Sequence, residues 1–203
     1  MNSILQYPEK KVLAISGSPR EGGNSDVLLN HFALGVRTEN ISCEVIQLRD
    51  FHILPCIGCE ACRTDGACHS LDDDMQELYP KFRSSRGLIM VSPTHNYNIT
   101  SWLKAFIDRL YCFYQFTDDR PRKFSSHLAN QGRQALIAGI CEQPNPAFMG
   151  VTLDAMRLPL ADVGYQMKGE LPVYGIFDKG KVGDDQAVLD QAIQLGRELA
   201  KAI

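Results

Sequence analysis

The chain has 203 residues, enough for one domain with a sizeable core and too few for two comfortable ones. Its net charge is −3 and its basic residues are dispersed, which argues against nucleic acid as a main partner. Its apolar runs are strand-length, too short to span a membrane. The opening stretch, residues 1–11, lacks the basic and then apolar pattern of a secretory leader. Together with seven cysteines this suggests a cytoplasmic protein whose thiols do something other than form disulfides.

Residues 12–15 are short and apolar, include two β-branched side chains and end at once in turn chemistry, which predicts a buried first strand. Gly17, Ser18, Pro19, Gly22 and Gly23 fill the turn, and Asn24 or Ser25 suits a helix N-cap. Val27, Leu28, Phe32 and Val36 recur at helical spacing over 25–37, and His31 on the same stripe reads as packing. Residues 43–48 are a second strand. A long loop, 50–71, holds four cysteines. Asp72, Asp73 and Asp74 then open a second helix, where three acids suit the positive end of the dipole.

Residues 87–91 are a third strand, and 92–100 a second loop at a strand's carboxyl end. A third helix runs from about Ser101, capped by Asn98 or Thr100, with Leu103, Phe106, Ile107 and Leu110 as its apolar face. Residues 111–132 read as irregular, aromatic first and then basic at Arg120, Arg122 and Lys123. A connection that long in a compact domain usually has a job. Residues 134–140 are a fourth strand, 148–162 a helix, Tyr165–Tyr174 a fifth strand and 184–201 a last helix. Strands alternating with helices predict an α/β fold: one parallel sheet covered on both faces, binding its ligand at the carboxyl ends of the strands.

The turn after strand 1 points free backbone N–H groups and a helix N-terminus at one spot. Ser18, Asn24 and Ser25 add short side-chain donors, and Arg20 adds a charged fork. This pattern predicts a phosphate site, although it has neither a nucleoside-triphosphate loop's ending nor a dinucleotide fold's glycine spacing. Cys56, Cys59, Cys62 and Cys68 have the spacing C-x2-C-x2-C-x5-C. Three thiolates two residues apart can wrap one corner of an iron–sulfur cubane and the fourth can close it, whereas structural zinc usually separates its cysteine pairs further. Reduced thiols without metal are the other reading of the same loop. Cys112 and Cys141 read as ordinary buried thiols.

Gly17-Ser18-Pro19-Arg20 followed by Asn24-Ser25, Ser92-Pro93 through Asn96, the stretch Leu103 to Arg109, and the cysteine loop closing on Asp73-Asp74-Met75 carry a family resemblance. Over nearly the whole chain the sequence resembles the flavodoxin-like NAD(P)H-dependent FMN reductase superfamily, including its iron–sulfur flavoprotein branch. That family usually has an aromatic residue two positions after the ring-loop proline. This chain has His95 there, and Tyr97 is the aromatic.

The resemblance implies one flavodoxin-like, three-layer FMN domain over 1–203, with strand order 2-1-3-4-5. It implies FMN held at its phosphate by Ser16, Ser18, Arg20, Asn24 and Ser25. The flavin ring would lie against Pro93, Thr94, His95, Asn96 and Tyr97, and near Gly139 and Cys141. It implies an NAD(P)H-dependent reductase of quinones, flavins or similar small acceptors. The alternative is an iron–sulfur flavoprotein taking electrons from ferredoxin-like donors through a 4Fe-4S cluster on Cys56, Cys59, Cys62 and Cys68. Catalysis belongs to the flavin, with His95 read either as a proton or hydrogen-bond donor to the acceptor or as a wall residue stacking near the ring, and a homodimer or homotetramer is implied, with 111–132 as the contact.

Overall fold

The computed structural model describes residues 7–203; residues 1–6, most of the stretch in which no secretory leader is expected, lie outside the described residues. The central sheet has five parallel strands in the order β2-β1-β3-β6-β7. These are β1 (Glu9–Ser16), β2 (Ser42–Gln47), β3 (Ser85–Pro93), β6 (Arg133–Cys141) and β7 (Tyr165–Tyr174). A hairpin of β4 (Tyr114–Phe116) and β5 (Phe124–Ser126) forms a second, antiparallel sheet. The expected order 2-1-3-4-5 is thus the observed order, once the hairpin is set apart.

Alternation along the strands builds two cores, one on each face. Leu13, Ile15, Leu88 and Met90 pack against α2 (Met75–Ser84), α3 (Ser101–Arg109) and α4 (Asp154–Val163). Val12, Ala14, Ile89 and Val91 pack against α1 (Asn24–Thr38) and α5 (Gln186–Ala202). Both faces are apolar, as a doubly covered parallel sheet requires. Helices α1 and α5 cross so closely that a Cβ on Gly35 would stand 2.0 Å from the Ile193 carbonyl oxygen, and one on Gly196 2.2 Å from that of Phe32. The predicted apolar face of α3 is buried, and Trp102, off that face, is partly exposed.

Two expectations need correcting. Residues 111–132 are irregular only in part: the β4–β5 hairpin stacks Tyr111, Tyr114, Phe116 and Phe124 into one aromatic cluster. Helix α4 starts six residues later than expected, because Pro146–Met149 forms a 3-10 turn, capped by Asn145 and closed by Gly150 at φ 56°. The acids at the start of α2 do more than suit its dipole: Asp73 accepts from Met75 N at 3.2 Å and is buried in an ion pair with Arg109, and Asp74 Oδ2 accepts from His52 N at 2.6 Å. No helix among the described residues is long and apolar enough to cross a membrane.

Candidate functional site

Order β2-β1-β3 reverses direction at β1, so the loops leaving β1 and β3 open a crevice at the carboxyl edge of the sheet. A cleft of about 130 Å³ lies there, walled by Ser18, Arg20, Asn24 and Ser25 on one side and by Pro93, Thr94, His95 and Glu142 on the other. Ile176, Phe177 and Lys179, from the loop after β7, cover it.

The loop after β1 is held by its own side chains. Ser16 Oγ, fully buried, donates to Asp26 Oδ1 at 2.9 Å and accepts from Ser18 N at 3.3 Å. Ser18 Oγ accepts from Arg20 N at 3.1 Å, and Asp26 Oδ2 accepts from Gly22 N at 2.9 Å. Arg49, from the end of β2, pairs with Asp26 at 2.9 Å and donates to the Ser18 carbonyl at 3.3 Å. Gly23 is the N-cap of α1, and no side chain among the described residues caps that end. The first N–H groups of α1 therefore face the cleft without a side-chain acceptor, as an anion site requires.

Asn24 is not a cap. Its Nδ2 donates to Asp178 O at 3.0 Å and to Phe177 O at 3.4 Å, and its Oδ1 accepts from Val182 N at 3.0 Å. Arg20 also reaches this loop: Nη1 donates to Phe177 O at 3.3 Å and the guanidinium lies over the Phe177 ring at 4.6 Å. Two of the expected phosphate ligands thus also anchor a strap over the cleft.

On the opposite wall, Thr94 N donates to Ile140 O at 2.7 Å, which fixes the ring loop against β6. His95 and Asn98 exchange backbone bonds at 2.8 and 3.0 Å around Asn96 and Tyr97, with φ 48° and 65°. That is a tight hairpin turn with two left-handed residues, comfortable for asparagine and costly for tyrosine. It carries Tyr97 out to stack on Phe148, centroids 6.1 Å apart. Ser16, Asn96, Tyr97, Gly139 and Cys141 do not line the cleft; Ser16 is buried against Asp26, Gly139 packs under Met149, and Cys141 is buried. Sequence reasoning missed Asp26, Arg49 and residues 176–179. The carboxyl-end rule alone points to the loops after β2 and β7 that hold Arg49 and the strap.

The cysteines form a second site. Cys56, Cys59, Cys62 and Cys68 line one cavity of about 180 Å³ with Asp108, Arg109, Tyr111 and Cys112. The loop wraps through left-handed Gly58 and Glu60, and Gly66 N donates to Cys62 O at 2.8 Å. The β4–β5 hairpin holds it down: Arg122 pairs with Glu60 at 2.9 Å, and Arg63 with Asp118 at 3.4 Å. Residues 111–132 thus pack on the cysteine loop of their own chain, and none of them lines the cleft.

Burial pushes the Cys62 thiol up, and the neighbouring Cys68, Cys59 and Cys56 add to the shift. The Cys59 thiol is pulled down by Ser70, whose Oγ stands 3.1 Å away, and by the Ala61 N–H. Among the described residues no three Cys, His, Asp or Glu side chains group as ligands of a single ion.

The sheet order and the strand-end cleft, with its uncapped helix, define a flavodoxin-like fold. Residues 10–139 match the model of the NADPH-dependent FMN reductase family, and the chain belongs to that family. An iron–sulfur flavoprotein of Methanocaldococcus jannaschii is 33% identical over 129 residues, which is 64% of this chain and 62% of that protein. The match thus spans less than two thirds of that relative's length. An iron–sulfur flavoprotein of Archaeoglobus fulgidus is 30% identical over 95% of this chain and 80% of its own. The fold is also that of an FMN-dependent NADH-azoreductase from Bacillus anthracis solved in complex with FMN: TM-score 0.64, 19% identity, 94% of this chain and 97% of that one.

Proposed function

We propose that the chain is an FMN-dependent reductase that takes a hydride from NAD(P)H and passes the electrons to a quinone, a free flavin or a similar small acceptor. The observation that carries this reading is the cleft in which an uncapped helix N-terminus, Ser18, Ser25 and Arg20 face the ring loop Pro93-Thr94-His95. These residues fit FMN. The α1 N–H groups, the two hydroxyls and Arg20 suit a dianionic phosphate, with Lys179 as a second cation in the wall. Pro93 and Thr94 offer the flat contact that a flavin ring needs, and Ile176 and Phe177 line the cleft from the other side.

When bound, the flavin supplies the hydride and electron transfer; the chain supplies binding, orientation and shelter. His95 lines the wall where it can donate a proton or a hydrogen bond to the acceptor. The family's description supports FMN and a nicotinamide donor, and the relatives' names support a flavin. The same proposal includes a homodimer or homotetramer, for which exposed Tyr97, Phe148 and Val151 offer an apolar face. The experiment is anaerobic mixing of FMN-loaded protein with NADH or NADPH, followed at flavin wavelengths and then with a quinone. Bleaching by one nucleotide and recovery with the quinone is the expected result. No bleaching by either nucleotide would refute the reductase reading.

A second reading is carried by the cysteine cavity: a 4Fe-4S cluster that accepts electrons from a ferredoxin-like donor. Cys56, Cys59, Cys62 and Cys68 line one largely apolar cavity, with buried Cys112 at its floor, and four thiolates are the donor set of such a cluster. A cubane spreads its cysteines over four irons, so it does not need the close grouping of a single ion. Cys56, Cys59, Cys62 and Cys68 would hold it, and it would supply one-electron transfer. Anaerobic reconstitution with iron and sulfide should give about four irons per chain; sub-stoichiometric iron with no absorption beyond FMN would leave a flavin-only reductase.

A further inference from the structure

Arg109, the last residue of α3, is almost wholly buried, with 1% of its side chain exposed, and lines the cysteine cavity. Asp73, with 0% of its side chain exposed, grips it as a fork: Nη1 donates to Oδ2, and Nη2 to Oδ1 at 3.2 Å. Asp73 in turn accepts from Leu54 N at 2.8 Å and Met75 N at 3.2 Å, and Arg109 Nη1 donates to Leu54 O at 2.9 Å. The guanidinium is thus pinned to both ends of the cysteine segment. Its remaining reach is directed at sulfur: Nη2 donates to Cys68 Sγ at 3.4 Å. Its Nε is buried with no partner.

The other charges that line the cavity are spent outward. Asp108 is paired with Lys104, and Glu60 with Arg63 and Arg122. Arg109 is the charged donor that faces a cysteine sulfur. An isolated buried ion pair is a poor stabiliser compared with apolar packing, so its retention here asks for a reason.

We propose that Arg109 is a positioning residue for the cysteine site: it fixes Cys68 by an N–H···S bond and, through that bond, raises the reduction potential of the iron–sulfur group held there. This rests on the cluster reading above. When the cluster takes up one electron from a reductant, negative charge grows on its sulfurs and no bond to protein breaks. A charged N–H donor aimed at one of those sulfurs stabilises the reduced form more than the oxidised one. Asp73 acts at one remove, by holding the fork in plane.

The test is a redox titration of the FMN-loaded, iron–sulfur-reconstituted protein, with iron counted in each sample. The Arg109→Gln single variant strands Asp73 as a buried charge, so the primary variant is Arg109→Gln with Asp73→Asn, which removes both charges and keeps amide groups. It should retain the parent's iron content and require at least a tenfold stronger reducing drive, about 59 mV lower for one electron. Arg109→Lys keeps the charge without the planar fork. It should shift the potential the same way by less, and it reads the effect even if the double variant does not fold. Unchanged potentials at full iron content would overturn the proposal. A folded variant without iron would overturn it too, making Arg109 necessary for assembly. A parent that holds no iron would fail the cluster reading first and remove the group to be tuned.

Discussion

The hydroxyl of Thr100 donates to the carbonyl of Gly17 at 2.6 Å, and the same oxygen accepts from Leu103 N at 3.3 Å. One side chain therefore caps α3 and ties the ring loop's helix to the phosphate loop. Gly17 must be a glycine for this approach, because a Cβ there would stand 2.9 Å from Leu103 Cβ. The two walls of the cleft are held together at this point before any ligand arrives.

Thr100→Val keeps the shape and removes both bonds. A lost N-cap costs about 0.5–2 kcal/mol, and an unpaired buried carbonyl about 1–3. We expect the urea midpoint to fall with an unchanged m-value, and FMN affinity to fall with it. A midpoint equal to the parent's would show that the Thr100 bonds carry no weight.

Arg20→Ala should weaken FMN binding by about tenfold or more, the worth of one charge-assisted contact. Fluorescence titration of FMN measures it. Arg120→Ala, at an exposed position outside the cleft, is the control and should bind like the parent. Equal affinity in Arg20→Ala would place Arg20 with the Phe177 strap alone.

Gly196→Ala tests the α1–α5 crossing, because its Cβ would meet the Phe32 carbonyl oxygen at 2.2 Å. Backbone on both sides cannot yield as a side chain does, so we expect a loss of about 1–3 kcal/mol by urea unfolding. A neutral result would mean that the helices slide apart at little cost.

Acid stability follows from Asp73. Burial opposes its ionisation, but Arg109 and the Leu54 N–H outweigh burial and hold the carboxyl below its ordinary 3.8. A depressed folded-state value contributes stability that is full above 3.8 and lost as pH falls through the lower folded value. Unfolding free energy should therefore drop on acidification below about pH 5. Asp73→Asn should flatten that limb while costing about 3–5 kcal/mol at neutral pH, since Arg109 is left buried and unpaired. An acid limb of the same slope in Asp73→Asn would assign it to other carboxylates.

Where local signals agree with tertiary structure, the chain is legible. Tyr165–Tyr174 begins and ends as read, because left-handed Gly164 and Gly175 bound it. Thr100 is one of the two caps expected for α3. The two three-residue strands of the hairpin are too short to show a period, so Tyr114 and Phe116 read as a loose aromatic cluster. Asp73 has a sufficient local explanation at a helix start, and only the fold brings Arg109, 36 residues on, against it. Asn24 looks like a cap for the same local reason, yet its partners lie more than 150 residues away at Phe177 and Asp178. In the cleft, Ser18, Arg20, Asn24, Ser25, Pro93, Thr94 and His95 come together as expected, whereas the strap 176–179 carries no motif of its own.

The most direct measurement is a crystal structure of the protein with FMN. The expected result is one flavin per chain, its phosphate at the N-terminus of α1 within hydrogen-bond reach of Ser18 and Arg20, and its ring along Pro93-Thr94-His95. A flavin bound elsewhere, for instance between α4 and α5, or a cleft still closed by the Phe177 loop at saturating FMN, would contradict it.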